Sequence, residues 1–112
     1  MMNIGILSTG IYLPEDYVTG KQIAQMAGIP EHIVEEKMGI KKKYVPGAGD
    51  HTCEMGIIAA RRAIAKAGID PLDIDLVIYI GEEHKEYPLW TAGIKLQQEV
   101  GALNAWAFDA AL

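Results

Sequence analysis

Cysteine is almost absent from this sequence, with Cys53 as its one example, so no disulfide can form within the chain. A protein without disulfides suits a reducing compartment, and we expect a cytoplasmic location. No apolar run approaches the about 20 residues that span a bilayer. The N-terminus also lacks the basic and apolar regions of a secretory signal. These absences predict a soluble protein without a membrane segment.

Basic residues are scarce as well, because 10 Lys and Arg stand against 15 Asp and Glu and give a formal net charge of −5. The longest basic run covers residues 41–43, Lys41-Lys42-Lys43. Nucleic-acid binding normally requires a broad basic face, so we expect no nucleic-acid partner. Two interpretations of these lysines remain open. They form a solvated basic turn, or they meet a phosphate or an acidic carrier protein.

Two ligand-binding patterns are missing. Gly5 and Gly10 do not belong to a Gly-x-Gly-x-x-Gly pattern, which excludes a dinucleotide fingerprint. The loop at residues 82–86 combines carboxylates with one imidazole, that of His84, but no second group of ligands stands at a defined spacing. We therefore expect no metal site and no cofactor.

What the sequence does contain is an alternation of β-prone apolar runs with helical patterns, and 50% of its residues are hydrophobic. The patterns predict strands at residues 4–13, 76–81 and 105–112, and helices at residues 20–27, 30–38, 52–67 and 88–100. This order predicts an α/β fold with a mostly parallel sheet and covering helices. The continuous run at 76–81 is typical of a central strand covered on both faces.

The predicted helix boundaries depend on local signals. Thr19 and Thr52 are the expected N-caps, because their hydroxyls can accept a hydrogen bond from the first turn. Gly28 and Gly68 are the expected stops. Pro88 is expected to open the last helix, since proline suits a first helical position.

The last predicted strand, residues 105–112, is apolar and carries no stop signal. Three strands with so few helices would leave a parallel sheet incompletely covered. Ligands bind outside the carboxyl ends of such strands. We therefore expect residues 1–112 to form one unit that is a piece of a larger enzyme. The alternative is a small complete domain with its last strand at the sheet edge.

Several segments carry a more specific pattern through their order and spacing. They are residues 6–14 (Ile-Leu-Ser-Thr-Gly-Ile-Tyr-Leu-Pro), 38–43 (Met-Gly-Ile-Lys-Lys-Lys), the Ala-rich helix with its flanks at 55–69, 74–78 (Ile-Asp-Leu-Val-Ile), 87–88 (Tyr-Pro) and 107–111 (Ala-Phe-Asp-Ala-Ala). Together they resemble the N-terminal third of β-ketoacyl-acyl carrier protein synthase III, a condensing enzyme. The resemblance implies a thiolase-like αβαβα fold, of which this chain is the N-terminal portion, and a homodimer.

The resemblance also implies an activity, the condensation of an acyl-CoA primer with malonyl-acyl carrier protein in fatty acid biosynthesis. In the family, a cysteine at a helix N-terminus accepts the acyl group, and the helix dipole favours its thiolate. The family's spacing places this cysteine shortly beyond Leu112. No catalytic residue is then expected in this chain, which alone would be inactive. The alternatives are a hydroxymethylglutaryl-CoA synthase-like condensing enzyme and a non-enzymatic self-association module.

Three residues are implied as substrate-binding by the resemblance: His32, Lys37 and Tyr87. His32 stands where many family members have a tryptophan that stacks on the adenine of CoA, and Lys37 stands near a family arginine that helps to hold the same ligand. The spacing from His32 to Gly39 is one residue longer than the commonest family form. Tyr87 stands where a family aromatic reaches the partner's acyl pocket, with plain interface packing as the alternative.

Two other residues have competing interpretations. Cys53 is more easily explained as a small packing residue than as a reactive thiol, because the resemblance places it on an outer helix. Asp109 lies in an apolar strand, and a buried carboxylate needs hydrogen-bond partners. We expect Asp109 to accept from backbone donors and to affect the expected nucleophile indirectly.

Overall fold

The computed structural model describes residues 2–81 and 87–111. The chain divides into two compact units, one formed by Met1–Tyr12 together with His51–Leu112 and the other by Leu13–Asp50. Within the described residues, no helix has the length and apolar character needed to cross a membrane.

The Leu13–Asp50 unit contains, in chain order, strand β1 (Tyr17–Thr19), helix α1 (Gly20–Ala27), a π-helix (Ile33–Lys37) and strand β2 (Lys42–Tyr44). The two strands pair antiparallel, with Tyr17 opposite Tyr44. This small antiparallel sheet departs from the expected mostly parallel arrangement. Strand β1 was not predicted, because three residues are too few to show an alternating pattern.

Helix α1 begins and ends where the sequence predicts. The Thr19 hydroxyl accepts a hydrogen bond from the Gln22 N–H at 3.2 Å, and the Gln22 side-chain oxygen accepts from the Thr19 N–H at 2.8 Å. This reciprocal pair is a capping box, which satisfies two backbone donors at once. Gly28 ends the helix with a φ of 67°, a left-handed conformation that glycine adopts without steric cost.

The larger unit contains, in chain order, helix α2 (Thr52–Ala67), a 3₁₀ turn (Pro71–Asp73), strand β3 (Leu76–Ile80), helix α3 (Ala92–Val100) and strand β4 (Trp106–Ala110). Strands β3 and β4 pair in parallel, and their register runs from Leu76 opposite Trp106 to Ile80 opposite Ala110. Helix α3 connects the strands and packs on both of them, and α2 packs on α3. The parallel pairing follows from the predicted strand–helix–strand order.

The sheet of β3 and β4 is covered on one face. Along β3, Val77 and Tyr79 are half-buried, and Tyr79 packs against a buried cluster on α2 and α3. The alternate residues Leu76, Ile78 and Ile80 are exposed. In the described part of the chain α2 and α3 share one face of the sheet, which agrees with the expectation that these helices cover a parallel sheet incompletely. Coverage of β3 on its second face stays a prediction.

Residues 4–13 do not form a strand, so the strand predicted there is wrong. The segment runs along α2 instead, and the Ser8 hydroxyl donates to the Ala63 carbonyl at 2.6 Å. Gly10 allows this close approach, because a Cβ at that position would lie 2.6 Å from the Ala63 nitrogen. None of the described strands pairs with the segment. An apolar sequence without a pairing strand is not sufficient for a β-strand, and Ile4 remains 93% exposed.

Helix α2 covers the predicted residues but has another N-cap than expected, and α3 begins later than the sequence predicts. The N-cap of α2 is His51, which makes no side-chain hydrogen bond, and the expected cap Thr52 is the first helical residue. Helix α3 begins at Ala92 rather than at Pro88, because Thr91 is still extended. The residues from Pro88 onward form turns before this point.

The remaining boundaries agree with prediction to within a few residues. Gly68 and Gly101 end α2 and α3 with φ values of 66° and 81°. Strand β4 covers the middle of the predicted 105–112 run. The predicted loop at residues 82–86, which includes His84, lies outside the described residues.

Candidate functional site

The carboxylate of Asp109, near the carboxyl end of β4, lies at the N-terminus of α3. Its Oδ1 accepts a hydrogen bond from the Gly93 N–H at 2.7 Å, and its Oδ2 accepts from the Ala92 N–H at 3.0 Å. The expectation that Asp109 accepts from backbone donors is therefore confirmed. A carboxylate at this end of a helix is also favoured by the positive end of the helix dipole.

Asp109 caps helix α3, because Thr91, the residue immediately before the helix, does not cap it. Thr91 occupies the N-cap position, but its side chain makes no capping hydrogen bond. Ala92 and Gly93 are buried, and a buried N–H without an acceptor costs about 1–3 kcal/mol. The carboxylate of a neighbouring strand therefore satisfies the first two donors of this helix.

Gly93 lies too close to β4 for any side chain. A Cβ on Gly93 would lie 2.9 Å from the Phe108 carbonyl oxygen and 3.1 Å from Asp109 Oδ1. The Phe108 oxygen belongs to the backbone and cannot move aside as a flexible side chain could. The absence of a side chain at Gly93 thus permits the short hydrogen bond to Asp109.

The first turn of α2 completes this arrangement. The Cys53 thiol is fully buried and donates to the Ala92 carbonyl, with a sulfur–oxygen distance of 3.6 Å. The structure agrees with the packing interpretation of Cys53, since a reactive thiol has to be accessible. We call Cys53, Ala92, Gly93 and Asp109 together the α3 junction, where α2, α3 and β4 meet.

Two aromatic residues precede the α3 junction in the chain. Trp90 is half-buried and packs against the cluster that contains Cys53 and Ala92. Tyr87 is 65% exposed, and its ring meets that of Trp90 edge-on, with centroids 5.2 Å apart. The predicted substrate-binding residue Tyr87 therefore has an accessible side chain that lies against Trp90 of the core.

A charged pair also lies beside the Trp90 ring. Lys95 of α3 forms an ion pair with Glu54 of α2, and its Nζ lies 5.1 Å from the Trp90 ring centroid. This distance is within the range of a cation–π interaction. The pair links the first turns of the two helices next to the aromatic segment.

The other two predicted substrate-binding residues, His32 and Lys37, lie in the Leu13–Asp50 unit. Both are exposed, and they flank or end the π-helix Ile33–Lys37. The Met38 N–H donates to the Ile33 carbonyl at 3.0 Å, five residues back, as a π-turn requires. The helix predicted at residues 30–38 is thus present, but its central part is π rather than α.

The π-helix between His32 and Gly39 has wider turns than an α-helix. A π-turn contains one more residue than an α-turn, since its hydrogen bonds reach five residues back instead of four. Residues five apart, such as His32 and Lys37, then follow one another around a single turn. The widened turn therefore places the His32 and Lys37 side chains about one helical turn apart.

The lysine run at residues 41–43 lies on strand β2 and the residue before it, and all three side chains are exposed. The Lys42 Nζ lies 5.0 Å from the Tyr17 ring and 4.8 Å from the Tyr44 ring. A side-chain hydrogen bond with Tyr44 and the charge of that group raise the pKa of Lys42 above its usual value. Lys42 is therefore held over two tyrosines of its own sheet, and two of the three lysines lie on a strand and not in a turn.

Within residues 2–81 and 87–111, no cluster of three or more His, Cys, Asp or Glu side chains could hold a metal ion. The sequence had suggested Asp109 and the three substrate-binding candidates, but not Ala92 and Gly93. Their signal is weak, because two small residues after Thr91 resemble any helix start. The role of these backbone donors becomes visible only when β4 is placed beside them.

Comparison with known proteins shows which enzymes this chain is similar to. No protein-family model matches the chain. The β-ketoacyl-[acyl-carrier-protein] synthase III of Geobacillus kaustophilus is 30% identical over 108 residues, which are 96% of this chain and 34% of the relative. The enzyme of the same name from Hyphomonas neptunium is 37% identical over 104 residues, which are 93% of this chain and 32% of the relative. This chain resembles the N-terminal part of β-ketoacyl-acyl carrier protein synthase III.

Solved structures agree with this resemblance. The priming β-ketosynthase of the R1128 polyketide biosynthetic pathway superposes with a TM-score of 0.81 and 30% identity, over 96% of this chain and 32% of that one. A 3-oxoacyl-(acyl-carrier-protein) synthase III structure gives a TM-score of 0.80 at 25% identity, also over 96% of this chain and 32% of that one. The expected fold class, an N-terminal portion of a thiolase-like α/β fold, is confirmed. The chain spans about a third of the length of the curated relatives that it matches.

Proposed function

We propose that this chain is the N-terminal part, residues 1–112, of an acyltransferase that condenses an acyl-CoA primer with malonyl-acyl carrier protein in fatty acid biosynthesis. The observation that carries the proposal is the extent of the similarity, which covers 96% of the chain against the Geobacillus kaustophilus relative. In such an enzyme the proposed nucleophile is a cysteine that follows Leu112 within a few residues. No catalytic residue is proposed within the chain itself.

The proposed reaction has two covalent steps. A cysteine thiolate attacks the acyl-CoA thioester, an acyl–cysteine bond forms, and CoA leaves as its thiolate. Malonyl-acyl carrier protein then loses CO₂, and the resulting carbanion attacks the acyl-enzyme and releases the cysteine thiolate. Backbone N–H groups near a helix N-terminus would stabilise the oxyanion in each step.

His32 and Lys37 are proposed to bind the nucleotide part of the acyl-CoA. An exposed imidazole can stack on a base, as aromatic side chains do in nucleotide sites. Lys37 supplies a point charge for a phosphate rather than the two-pronged donor set of an arginine. The accessibility of both side chains on the π-turn supports this assignment.

Tyr87 is proposed to line the acyl pocket across a homodimer interface. Its exposed ring and its edge-on packing against Trp90 support a role in which one face of the aromatic ring is available to a second molecule. Plain interface packing, the alternative role of Tyr87, would also require an exposed side chain. The effect of Tyr87 on acyl-chain preference distinguishes the two roles.

The two alternative functions have weaker support. A structure of MvaS in complex with 3-hydroxy-3-methylglutaryl coenzyme A superposes with a TM-score of 0.77, but at 20% identity this likeness concerns the fold alone. A self-association module would use an exposed apolar edge or the segment from Tyr87 to Trp90, in which Tyr87 and Leu89 are exposed. The relatives with 30% identity or more to this chain include several named β-ketoacyl-[acyl-carrier-protein] synthase III, which favours the first proposal.

Acylation of the protein that contains this chain tests the proposal. Incubation with acetyl-CoA is expected to add one acyl group to a cysteine beyond Leu112, visible by mass spectrometry and prevented by prior alkylation of that cysteine. A protein with no cysteine shortly after Leu112, or with no acyl adduct, would contradict the proposed function. Replacement of Tyr87 by Ala, with Tyr87→Phe as the control, is expected to change the acyl-chain preference, whereas an unchanged profile would leave packing as its role.

A further inference from the structure

Asp109 connects two parts of the α3 junction that are separate in the sequence. Its carboxylate binds the N–H groups of Ala92 and Gly93, which lie 17 and 16 residues earlier in the chain. We propose that Asp109 is a positioning residue for acyl-chain selectivity. In this proposal it holds the aromatic segment before α3 at a fixed distance from the carboxyl end of β4. The inference depends on the proposed function, in which the nucleophile follows β4.

The first step of the argument is that Asp109 sets where α3 begins. Thr91 provides no side-chain cap, so the first two N–H groups of α3 find their acceptors on β4. One carboxylate accepts both hydrogen bonds, and this fixes the direction of the helix start as well as its distance from the strand. The position of the first turn of α3 is thereby tied to β4 and not to the residues before it.

The second step leads from α3 to the aromatic segment. Trp90 lies two residues before Ala92 and packs on the same buried cluster as Ala92. Tyr87 packs edge-on against Trp90, with ring centroids 5.2 Å apart. A displacement of the first turn of α3 therefore moves Trp90, and with it the support of the Tyr87 ring.

The third step concerns β4. Asp109 is the next-to-last residue of this strand, and the Ala110 carbonyl still accepts from the Gly81 N–H at 3.2 Å. The strand end is thus held by β3 on one side and by the cap on the other. In the proposed enzyme the nucleophile of this chain follows the strand end, while Tyr87 contacts the acyl chain in the pocket of the partner. Asp109 holds the strand end by its own hydrogen bonds and supports Tyr87 through Ala92 and Trp90.

Asp70 is a matched control for a cap without this connection. Its side chain accepts from the Leu72 N–H at 2.9 Å and caps the 3₁₀ turn Pro71–Asp73. This turn precedes β3 and so lies at the amino end of the parallel strands, opposite to the edge where ligands bind. Replacing Asp70 by Asn therefore perturbs a carboxylate cap but not the support of Tyr87.

The functional test compares Asp109→Asn with Asp70→Asn in the protein that contains this chain. The rates of acylation by acetyl-CoA and by octanoyl-CoA are measured for each, and their ratio is insensitive to the fraction of protein that is folded. Asp109→Asn is expected to change the ratio about tenfold, because small displacements of positioning groups have large effects on rate. Asp70→Asn is expected to leave the ratio unchanged. Equal ratios for the wild type and Asp109→Asn would overturn the proposal.

A second measurement separates this proposal from the proposed function. Amide hydrogen exchange at Gly93 or at Ala92 is expected to become about tenfold faster in Asp109→Asn, since the Asn amide has one oxygen and one of the two N–H groups loses its acceptor. Exchange in the middle of α2 serves as the internal reference. Unchanged exchange at both residues refutes the positioning role even if the protein is acylated. If the wild type is not acylated while exchange responds as expected, the proposed function fails, and with it the selectivity role, but the cap itself stands.

Discussion

Helices α1 and α3 each begin at side-chain oxygens, but these oxygens come from very different distances along the chain. Helix α1 is capped by Thr19, its immediate predecessor, through a capping box with Gln22. Helix α3 is capped by Asp109, which lies beyond its C-terminus on strand β4. The first cap can form as soon as the local segment is helical, whereas the second exists only after α3 has packed on the strand.

This difference separates local from tertiary control of a helix start. The α1 cap is exposed, so water competes with it and its contribution is that of an ordinary N-cap. The α3 cap is partly buried, and its two N–H donors lie on buried residues. Water therefore cannot replace the carboxylate if these hydrogen bonds are lost. A perturbation of the α3 junction should therefore cost more than the same kind of change at α1.

The largest expected effect in this comparison is that of Gly93→Ala. The added methyl group would meet the Phe108 carbonyl oxygen, and overpacking of this kind costs about 1–3 kcal/mol of the free energy of unfolding. Gly56→Ala is the matched control, because its Cβ would meet only the ends of side chains at 3.4 Å or more. Urea unfolding is expected to show a loss for Gly93→Ala and a gain of up to about 1 kcal/mol for Gly56→Ala. Equal stability of the two variants would mean that β4 does not approach α3 as closely as described.

A smaller effect is expected for Thr19→Ala. Loss of an exposed N-cap hydroxyl typically costs about 1 kcal/mol of stability. Thr52→Ala is the control, since Thr52 is the first residue of α2 and not its N-cap. Thermal unfolding followed by circular dichroism should show a lower Tm for Thr19→Ala and little change for Thr52→Ala. The reverse order would contradict the capping assignments of both helices.

The smallest effect is expected on the exposed face of the β1–β2 sheet. Tyr44 raises the pKa of Lys42 through a side-chain hydrogen bond, so Tyr44→Phe should lower that pKa toward the usual lysine value. A raised pKa in the folded state means that the charged lysine stabilises the fold. This contribution is complete below the unfolded-state pKa and is lost as the pH rises through the folded-state pKa. An NMR titration of the Lys42 side chain gives the shift directly, and Lys41 in the same spectrum is the reference. A Lys42 pKa that is the same with and without the Tyr44 hydroxyl would rule out this hydrogen bond.

The same contrast explains which parts of the fold could be predicted from the sequence. The bounds of α1 and the end of α2 follow from residues next to them, Thr19, Gly28 and Gly68, and these predictions are confirmed. The start of α3 at Ala92 could not be obtained this way, because its cap is contributed by another element. The segment 4–13 has the composition of a strand, but strand formation also requires a pairing partner, and the described strands provide none.

For the candidate site, the sequence identified the acceptor but not its donors. Asp109 attracted attention as a carboxylate in an apolar strand, and its need for backbone partners followed from the cost of burial. That the partners would be Ala92 and Gly93 depends on the register and packing of β4, which no local pattern encodes. The roles of His32, Lys37 and Tyr87 remain predictions from the family resemblance, and the experiments on acylation and chain-length preference address them.

The π-helix at Ile33–Lys37 has a consequence for transferring residue roles from related enzymes to this chain. A π-turn holds one residue more than an α-turn, and the Ile40 N–H after it bonds back to the Val34 carbonyl at 3.0 Å. Such a turn can take up one inserted residue without forming a loop. Against a relative whose corresponding turn is α-helical, residue correspondences across this turn would be offset by one, and a gap placed a few positions away would pair Lys37 with a residue on another side of the helix. In that case the equivalent of Lys37 is found by counting turns instead of residues.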